Sequence, residues 1–420
     1  MIQAPRGTKD VLPQESYLWQ WIEQEMRTIA EKAGYREIRT PVFEHTELFL
    51  RGVGDTTDIV QKEMYTFEDK GKRSITLKPE GTAGVVRAVI ENRLYADTLP
   101  IKAYYINSPI FRYENPQSGR LREHHQFGME FFGSLSPSAD AELIVILLAL
   151  LKRFGINNLA VHINSNGCEK CRPSYLEKLR GYLKPYRNKL CDTCKIRIEQ
   201  NPLRVLDCKI DADKPEVRGT PLMIDYLCDE CDEHFENLKA ILDKIEVPYT
   251  IDTSIVRGLD YYTKTVFEIT MQTKGREMAL CGGGRYDGLV SELGGPVTPA
   301  VGFGLGMERI ILEMSNQNIL PAAPPILDVF VCNLQKEDQS EAFLLSQLLR
   351  QSGIKADSDH MNRSLKAQFK YADKIGAKFV VIVGGEEESR GAVAVRNMNT
   401  KEQTEVSKNN LIQFLLEKGN

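Results

Sequence analysis

Several features that would assign this sequence to a class of protein are missing from it. No apolar run is long enough to cross a bilayer, since the longest, residues 143–151, fits a buried helix instead. Residues 1–7 contain no apolar segment typical of a signal peptide. These absences argue against the membrane and secreted classes, and we expect a cytoplasmic protein.

Two further absences limit how the protein can bind anions. The sequence contains no Gly-x4-Gly-Lys motif, which excludes a P-loop as the phosphate-binding device. There is no excess of positive charge either, because the formal net charge is −4. The chain as a whole is therefore not attracted to nucleic acid or anionic membrane, and any nucleic-acid surface must be local. Phosphates would have to be held by arginines, whose planar guanidinium matches phosphate oxygens.

The composition and one stiff linker predict the domain organisation. With 420 residues, 42% hydrophobic and 27% charged, the chain is globular and long enough for two or three domains. The proline-rich segment 321–325 predicts a boundary between a domain over residues 1–325 and one over 326–420. Alternating strand and helix patterns in the second predict an α/β fold with a mainly parallel sheet. The first is predicted as mixed α+β, with a mostly helical insertion over residues 165–247.

The first elements of the chain are predicted from periodicity. Residues 16–32 have the apolar spacing of an amphipathic helix. Residues 35–43 are predicted to form one strand, with Pro41 at an edge position.

The most informative segment is a predicted β-hairpin that carries charged and amide side chains. Residues 104–113 and 126–132 have strand patterns, and the polar segment between them has turn chemistry. Period-two alternation puts Gln126 and Glu130 on one face, and Arg112 ends the first strand. A cation that faces amide and carboxylate acceptors suits a ligand with a phosphate and an amine. That combination is typical of an adenylate-forming site.

Three other motifs could contribute to such a site, and each has an ordinary alternative. A glycine-rich strand precedes Arg309, where a ligand can approach the backbone; a surface ion pair is the alternative for this arginine. Residues 257–262 combine a cation, a carboxylate and two tyrosines at a strand start, or form a tyrosine-rich core strand. Glu80 and Thr82 lie where a helix begins, which an ordinary N-terminal cap also explains.

Six of the nine cysteines form three Cys-x-x-Cys pairs inside the insertion: Cys168/Cys171, Cys191/Cys194 and Cys228/Cys231. In a cytosolic chain such pairs indicate zinc ligands more than disulfides. Two pairs suffice for one tetrahedral four-cysteine site, so the third is in excess. The alternative is free thiols or an incomplete metal site, and the sequence does not decide between them.

Taken together, these motifs resemble those of a known family. Pro41, the hairpin over residues 111–132 and the segment 302–309 are similar to the three signature motifs of class II aminoacyl-tRNA synthetases. Residues 257–262 and 280–287 resemble the histidine-specific motifs of the bacterial histidyl-tRNA synthetase family. The resemblance extends over nearly the whole chain. The C-terminal domain is similar to an anticodon-binding module, and the insertion is the least typical part.

The resemblance implies a fold and a reaction. The catalytic domain would have an antiparallel sheet flanked by helices, and the chain would form a homodimer with the Pro41 segment at its interface. The enzyme would ligate L-histidine to histidine tRNA in protein synthesis, through a histidyl-adenylate made from ATP with Mg²⁺. Arg257 and Arg112 would act on the α-phosphate, and Arg309 would hold the distal phosphates or the adenine. The implied histidine-binding residues are Glu80, Gly81, Thr82, Gln126, Glu130, Tyr261, Tyr262 and Tyr286.

Two basic surfaces are candidates for tRNA contact. Arg120 and Arg122 at the hairpin tip would meet the acceptor end. In the C-terminal domain a basic stripe recurs at helical spacing, as phosphate contacts or simply a solvated helix face would. The stripe consists of Arg363, Lys366, Lys370 and Lys374.

Two rival functions fit the same core. One is the regulatory subunit of ATP phosphoribosyltransferase, a relative that senses histidine without charging tRNA. The full C-terminal domain and the presence of Arg112, Arg257 and Arg309 argue against it. The other is a synthetase for another amino acid, or an amide synthetase, and the segments 257–262 and 280–287 argue against that.

Overall fold

The structure is a computed structural model that describes residues 2–54, 57–117, 119–273 and 276–419. The chain divides into two compact units, the first ending at Pro321 and the second beginning at Ala322. Over the described residues, no helix combines the length and the apolar composition needed to span a bilayer.

The first unit mixes strands and helices along the chain. Its strands are β1 Arg36–Glu37, β2 Phe43–His45, β3 Tyr65–Glu68, β4 Ser74–Leu77, β5 Ile101–Phe111, β6 Glu123–Phe132, β7 Leu159–Ser165, β8 Thr250–Ile251, β9 Thr263–Thr273, β10 Arg276–Arg285 and β11 Ala300–Gly306. Its helices are α1 Pro13–Lys32, α2 Thr46–Val53, α3 Thr82–Glu91, α4 Pro137–Arg153, α5 Arg172–Leu183, α6 Asp192–Gln200, α7 Leu203–Leu206, α8 Pro215–Arg218, α9 Asp229–Lys244, α10 Leu289–Glu292 and α11 Met307–Asn316.

The sequence explains how α1 begins, packs and ends. Pro13 suits the first turn, where the missing N–H has no helical partner. Leu18, Ile22 and Met26 follow at helical spacing and are buried against the large sheet. Gly34, with φ 81°, takes the left-handed conformation that commonly ends a helix.

A large, mainly antiparallel sheet forms the centre of the first unit. Its eight strands lie in the order β1-β5-β6-β11-β10-β9-β7-β8, and only the edge strands β1 and β8 pair in parallel. One face, which carries Phe127, Met129, Phe303 and Leu305, packs against α1, α4 and α11. The predicted fold class, an antiparallel sheet flanked by helices, is confirmed.

The prediction of a single strand over residues 35–43 is wrong. β1 lies at an edge of the large sheet, whereas β2 belongs to a three-stranded sheet of order β2-β4-β3. Pro41 lies between the two and has no N–H to donate to a ladder, so the segment does not continue as one paired strand.

The insertion forms a helical region with its own core. Helices α5 to α9 fill the chain between β7 and β8, as the sequence predicts. Their buried side chains include Tyr175, Leu179, Ile198 and Val205, together with four cysteines. The core is small for a segment of this length, which makes any additional cross-link important for its rigidity.

The second unit is an α/β fold around a five-stranded sheet. Its elements are β12 Val329–Asn333, α12 Gln339–Gln351, β13 Ala356–Ser358, α13 Leu365–Lys374, β14 Phe379–Val383, α14 Glu386–Ser389, β15 Ala392–Asn397, β16 Gln403–Ser407 and α15 Leu411–Gly419. The strand order is β13-β12-β14-β15-β16, with two parallel pairings followed by two antiparallel ones. The α/β class is confirmed, but the expectation of a mainly parallel sheet is wrong. β16 has one buried residue, Val406, so its sequence lacks the apolar pattern that would reveal it.

A buried ion pair ties the large sheet to α4. Arg285 on β10 and Asp140 on α4 form this pair, and neither side chain has any exposure. The Arg285 guanidinium also donates to the carbonyl oxygens of Ser134 at 2.7 Å and Ser136 at 3.1 Å. Asp287 lies 3.2 Å from Arg285 and His234 lies 3.5 Å from Asp140, but loss of either partner would still remove the closest opposite charge from a fully buried group.

We predict that Arg285→Ala lowers the free energy of unfolding by roughly 3–5 kcal/mol, because Asp140 then remains buried without its guanidinium partner, with His234 3.5 Å away as its remaining neighbour. Chemical unfolding of the full chain measures this change. Arg51→Ala is the control: it removes an ion pair with Glu47 in which both side chains are more than half exposed, and it should cost less than about 1 kcal/mol. Similar losses for both variants would contradict the structural role of Arg285.

Candidate active site

Glycines form the floor of the second face of the central sheet. Gly128 of β6 pairs with Gly304 of β11, and Gly304 pairs with Gly282 of β10. Residues that pair across an antiparallel ladder point to the same face, so three neighbouring strands carry no side chain in this row. Gly302 and Gly284 pair in the same way one pleat further along. The glycines therefore leave a shallow trough in the sheet surface, bounded by larger side chains on either side.

Two charged side chains from neighbouring segments lie across this floor. A Cβ atom at Gly302 would stand 1.7 Å from Oε2 of Glu130. A Cβ atom at Gly282 would stand 2.3 Å from the guanidinium of Arg257. Both separations are far below van der Waals contact, so only glycine leaves room for these side chains.

Tyr105 and Gln126 occupy the floor in the same manner. The ring of Tyr105 would be 2.2 Å from a Cβ at Gly128, and the amide of Gln126 would be 2.3 Å from one at Gly304. The Tyr105 hydroxyl donates to Oε1 of Gln126 at 3.2 Å. Gly81 also gives way to Tyr105, whose hydroxyl would lie 2.5 Å from a Cβ there.

Glu130 lies at the closed end of the site. Its side chain has no exposure and accepts hydrogen bonds from Thr82 Oγ1 at 2.8 Å and from the Tyr286 hydroxyl. The buried rings of Tyr261, Tyr262 and Tyr286 pack on one another around it, with the first two centroids 4.8 Å apart. Burial raises the pKa of Glu130 to about 8, against these hydrogen bonds. A ligand that brings a hydrogen-bond donor or a positive charge would offset the unfavourable burial of the ionised carboxylate.

The side chain of Glu80, one residue before the N-cap Gly81, caps the first turn of α3 at the edge of the same pocket. Its carboxylate accepts from the backbone N–H of Thr82 at 2.8 Å and of Ala83 at 2.7 Å. The hydroxyl of Tyr261 lies 3.5 Å from Oε2 of Glu80. The sequence left two roles open for Glu80, a helix cap or part of the site wall. The geometry allows both, because the carboxylate that caps the helix also faces the tyrosines.

Arg257 is held in a constrained backbone conformation. Its φ of 62° lies in the left-handed region, which side chains other than glycine seldom adopt. Arg204 of the insertion donates to the carbonyl oxygens of Arg257 at 2.9 Å and Gly258 at 2.5 Å. The guanidinium pairs with Glu268 at 2.7 Å, while its buried Nε has no hydrogen-bond partner among the described residues. An unpartnered buried donor is costly, so this atom marks a place for an acceptor from a ligand.

Arg112 follows β5 and lies near the N-terminus of α3. Its Nε donates to the carbonyl oxygen of Pro79 at 2.7 Å, and its charge acts on Glu80. Beyond it, Arg122 stacks on the ring of Tyr113 with 4.0 Å between guanidinium carbon and ring centroid. Arg120, the other arginine of the hairpin tip, lies 3.7 Å from the carboxylate of Glu114.

Arg309 approaches the floor from the start of α11. Its guanidinium donates to the carbonyl of Ala279, and it lies within electrostatic range of Glu268, the partner of Arg257. Arg257 and Arg309 thus share one neighbourhood on the floor, and Arg112 lies on its other side, beyond β6 in the strand order. Helix α11 packs on the apolar face, so Arg309 reaches this neighbourhood only from the first turn of its helix.

Two residues of this site are absent from the sequence-based prediction. Glu268 lies on β9 and pairs with Gly282, so it shares the glycine face. Tyr105 lies on β5, where it pairs with Gly128. A carboxylate between the apolar residues Phe267 and Ile269 is a usable signal for Glu268, whereas Tyr105 resembles an ordinary core residue in sequence.

The basic stripe of the second unit is exposed only in part. Lys366, Lys370 and Lys374 are exposed along α13, and none has an ion pair within the described part of the chain. Arg363 precedes the helix and is held by Asp359 at 2.7 Å. The stripe is therefore three lysines long on the helix surface.

The antiparallel sheet, the glycine floor bordered by arginines and the tyrosine-walled pocket with its buried carboxylate together define a class II aminoacyl-tRNA synthetase. Comparison with known proteins narrows this class. A family model described as histidyl-tRNA synthetase matches residues 7–168 and 223–310, and one described as an anticodon binding domain matches residues 328–418.

Curated relatives match over almost the full length. The chain is 56% identical over 406 residues to histidine–tRNA ligase of Caldanaerobacter subterraneus subsp. tengcongensis, covering 97% of each protein. It is 53% identical to the enzyme of the same name from Clostridium novyi, covering 98% of this chain and 97% of that one. The crystal structure of apo histidyl-tRNA synthetase from S. aureus superposes with a TM-score of 0.85 at 38% identity, covering 99% of this chain and 100% of that one. The chain belongs to the histidyl-tRNA synthetase family, as the sequence motifs indicate.

We predict that Glu130→Gln stabilises the substrate-free protein increasingly as the pH rises from 5 to 8. Glu130 has a pKa of about 8 in the folded protein and an ordinary value of 4.5, so the folded state holds a proton that the unfolded state has lost. Wild-type stability then falls with rising pH, by up to about 1.4 kcal/mol per unit for one such group, and glutamine escapes this loss.

Calorimetric melting of both proteins at pH 5, 6.5 and 8 measures this difference. The exposed Glu177→Gln variant is the control and should follow wild type at every pH. A difference between Glu130→Gln and wild type that stays constant or shrinks with pH would show that Glu130 is already ionised in the folded protein.

Proposed function

We propose that the protein is a histidine–tRNA ligase that charges histidine tRNA for protein synthesis. It first makes histidyl-adenylate from L-histidine and ATP, and then transfers the histidyl group to the tRNA. Family membership over nearly the whole chain supports this assignment. Such an enzyme acts where translation occurs, which we take to be the cytoplasm.

The observation that carries the proposal is a buried carboxylate beside an unpartnered guanidinium nitrogen. Glu130 is fully buried among tyrosine hydroxyls, which is suited to an imidazole that both donates and accepts. The Nε of Arg257 is buried nearby on the same glycine floor and lacks a partner among the described residues. One end of the trough thus favours an amino-acid ring, and the other favours an anion.

The first step joins two anions. A carboxylate oxygen of histidine attacks the α-phosphorus of ATP, a new oxygen–phosphorus bond forms, and the bond to the bridging oxygen breaks to release pyrophosphate. The site must neutralise charge and fix the angle of attack, and no covalent enzyme intermediate is needed. In the second step a terminal ribose hydroxyl of the tRNA attacks the histidyl carbonyl and AMP leaves.

We assign this work to the three arginines. Arg257 and Arg112 bind the α-phosphate and the histidine carboxylate from opposite sides of the floor. Arg309 binds the distal phosphates or stacks on the adenine. Mg²⁺ bound with ATP would neutralise the β- and γ-phosphates. Glu268, about a quarter exposed on the floor, is an oxygen donor suited to such an ion.

Histidine recognition is assigned to the tyrosine pocket. Glu130 and Tyr262 take the two ring nitrogens, and Tyr261 and Tyr286 form the wall. The α-ammonium group is bound by Glu80, Thr82 and Gln126, and Gly81 lets the ring of Tyr105 close that end. Analogues that leave these buried groups unpaired are rejected, with factors of roughly 10⁴ available to such sites.

The tRNA and a second subunit bind elsewhere on the chain. Arg120 and Arg122 at the hairpin tip contact the acceptor end, and the lysines of α13 contact anticodon-arm phosphates. The homodimer forms around the Pro41 segment. In its support, Phe43 and Phe67 of the small sheet are 52% and 48% exposed, an unusual cost for a monomer surface.

Histidine-dependent exchange of labelled pyrophosphate into ATP tests the proposed function. Only histidine among the standard amino acids should support exchange, because only the imidazole satisfies the pocket. A histidine sensor without activity would show no exchange, and a synthetase for another amino acid would respond to that amino acid instead.

We predict that Arg257→Ala slows pyrophosphate exchange by about 10²- to 10³-fold while the KM for ATP changes by less than about fivefold, because the lost charge matters most in the transition state. The exposed Arg73→Ala variant is the matched control and should leave both parameters unchanged. Equal losses in rate and in ATP affinity would contradict the assigned role.

We predict that replacing Lys366, Lys370 and Lys374 together by alanine lowers kcat/KM for tRNA charging by at least about tenfold and weakens its salt dependence, since three phosphate contacts are lost. Pyrophosphate exchange should not change. The control replaces three other exposed lysines of the same unit, Lys336, Lys355 and Lys418. A comparable loss in the control would show that the effect comes from the net charge of the unit and not from the surface of α13.

A further inference from the structure

The first and third cysteine pairs meet in space although 60 residues separate them. The Sγ atoms of Cys168 and Cys171 are 3.8 Å apart, those of Cys168 and Cys228 are 3.7 Å apart, and those of Cys171 and Cys231 are 3.8 Å apart. All four sulfurs lie within 4.8 Å of one another. This cluster joins the beginning of the insertion to the start of α9, its last helix.

The second pair finds its partners in residues that no Cys-x-x-Cys motif marks. Cys191 and Cys194 lie with Cys208 and Asp211, and one ligand atom from each fits within 4.8 Å of the others. The Sγ atoms of Cys191 and Cys208 are 3.8 Å apart. The side chain of Asp211 has no exposure, and its Oδ2 accepts from the backbone N–H of Cys191 at 2.8 Å. The cysteine pair that is in excess for a single four-cysteine site therefore belongs to a second group of four ligands.

We propose that the insertion binds two zinc ions, one in each cluster, and that they hold the loop carrying Arg257 in place. A tetrahedral ion with Zn–S bonds of about 2.3 Å requires sulfur–sulfur edges of about 3.8 Å, which matches the Sγ–Sγ distances of 3.7 and 3.8 Å in the first cluster. Disulfides would need about 2.05 Å. A cluster edge of this size accommodates a single ion, and three thiolates with one carboxylate complete an ordinary zinc set.

The surroundings of the first cluster suit thiolates more than buried neutral thiols. The backbone N–H of Cys168 donates to Sγ of Cys171 at 3.1 Å, and that of Lys170 donates to Sγ of Cys168 at 3.4 Å. The guanidinium of Arg172 lies within electrostatic range of three of the four sulfurs. A four-thiolate zinc centre carries a net negative charge, which these donors and this cation offset.

The first cluster lies next to a residue that contacts the active-site loop, residues 257–262. Arg172, next to Cys171, donates to the carbonyl oxygens of Tyr262 and Asn166. The backbone N–H of Asn166 in turn donates to the carbonyl of Lys264 at 2.7 Å. Fixing Cys171 therefore fixes the end of the loop that carries Tyr262.

The second centre acts on the other end of the loop. Cys191 and Cys194 lie at the start of α6, and Cys208 and Asp211 follow the four-residue α7, which carries Arg204. Arg204 donates to the carbonyls of Arg257 and Gly258, and Asn201 donates to Oδ1 of Asp260 at 3.1 Å. A helix of four residues has little stability of its own, so a metal that closes the segment around it would hold Arg204 against the strained Arg257 backbone.

Metal analysis of the purified full-length chain tests the two sites. We expect two zinc ions per chain, one per chain in each of Cys228→Ala and Asp211→Ala, and two in Cys332→Ala, a buried cysteine of the second unit. Wild-type protein that holds no zinc, and takes up none after full reduction, would overturn the proposal. A single zinc that Asp211→Ala leaves in place would overturn the second site.

Cobalt titration of the metal-depleted wild-type chain keeps the proposal testable if a variant fails to fold. Two equivalents should bind, each with the visible absorption of tetrahedral cobalt coordinated by thiolates. Binding without those bands would exclude the cysteine clusters as the sites.

Hydrogen exchange tests the positioning role without any substrate. On removal of zinc, amides of residues 257–262 should exchange at least about tenfold faster, while those of the second unit stay unchanged as an internal control. Unchanged exchange in the loop would overturn the positioning role. The inference stands apart from the proposed ligase activity, because metal content and amide exchange are measured without histidine, ATP or tRNA.

Discussion

The site depends on a stretch of sheet surface that has no side chains of its own. Gly128, Gly304 and Gly282 align across three strands, and the space above them admits Tyr105 and other long side chains that lie flat along the backbone. Glycine weakens a strand by about 0.5–1 kcal/mol relative to alanine, so a row of them is unfavourable for folding. The opposite face, filled with phenylalanine, methionine and leucine, offsets this cost and keeps the sheet rigid where ligands bind.

The two faces of the sheet also explain why neighbouring residues of one sequence motif have different roles. Gly284 belongs to the glycine face, and the next residue, Arg285, must point to the helices, where it meets Asp140. Tyr286 follows the strand end and returns to the pocket to reach Glu130. Three consecutive residues of a sequence motif thus serve the floor, the core and the ligand pocket. A motif that resembles a family signature does not by itself say which of its residues touch substrate.

Most of the hairpin and its polar face could be predicted from the sequence, because period-two alternation is local and the turn residues are explicit. The break at Pro41 into two sheets was not predictable, since strand propensity does not specify which sheet a strand joins. Glu268 on β9 pairs with Arg257 of the loop that precedes this strand, and Asp211 joins Cys194 and Cys191, 17 and 20 positions earlier in the chain. Such contacts are set by tertiary packing, which leaves no periodic signal in the sequence.

The insertion is the least typical part of the sequence, yet it supports the backbone of Arg257, which lies in the left-handed region. The histidyl-tRNA synthetase family model passes over residues 169–222, and within that span Arg172 and Arg204 donate to the carbonyls of Tyr262, Arg257 and Gly258. A backbone in the left-handed region persists only when its surroundings over-determine it. The loop therefore needs fixed donors, and the helical core of the insertion must be rigid to supply them. It follows that this segment can vary in sequence among relatives provided that donors remain at those three carbonyls, because the loop responds to the position of the donors and not to the helices that carry them.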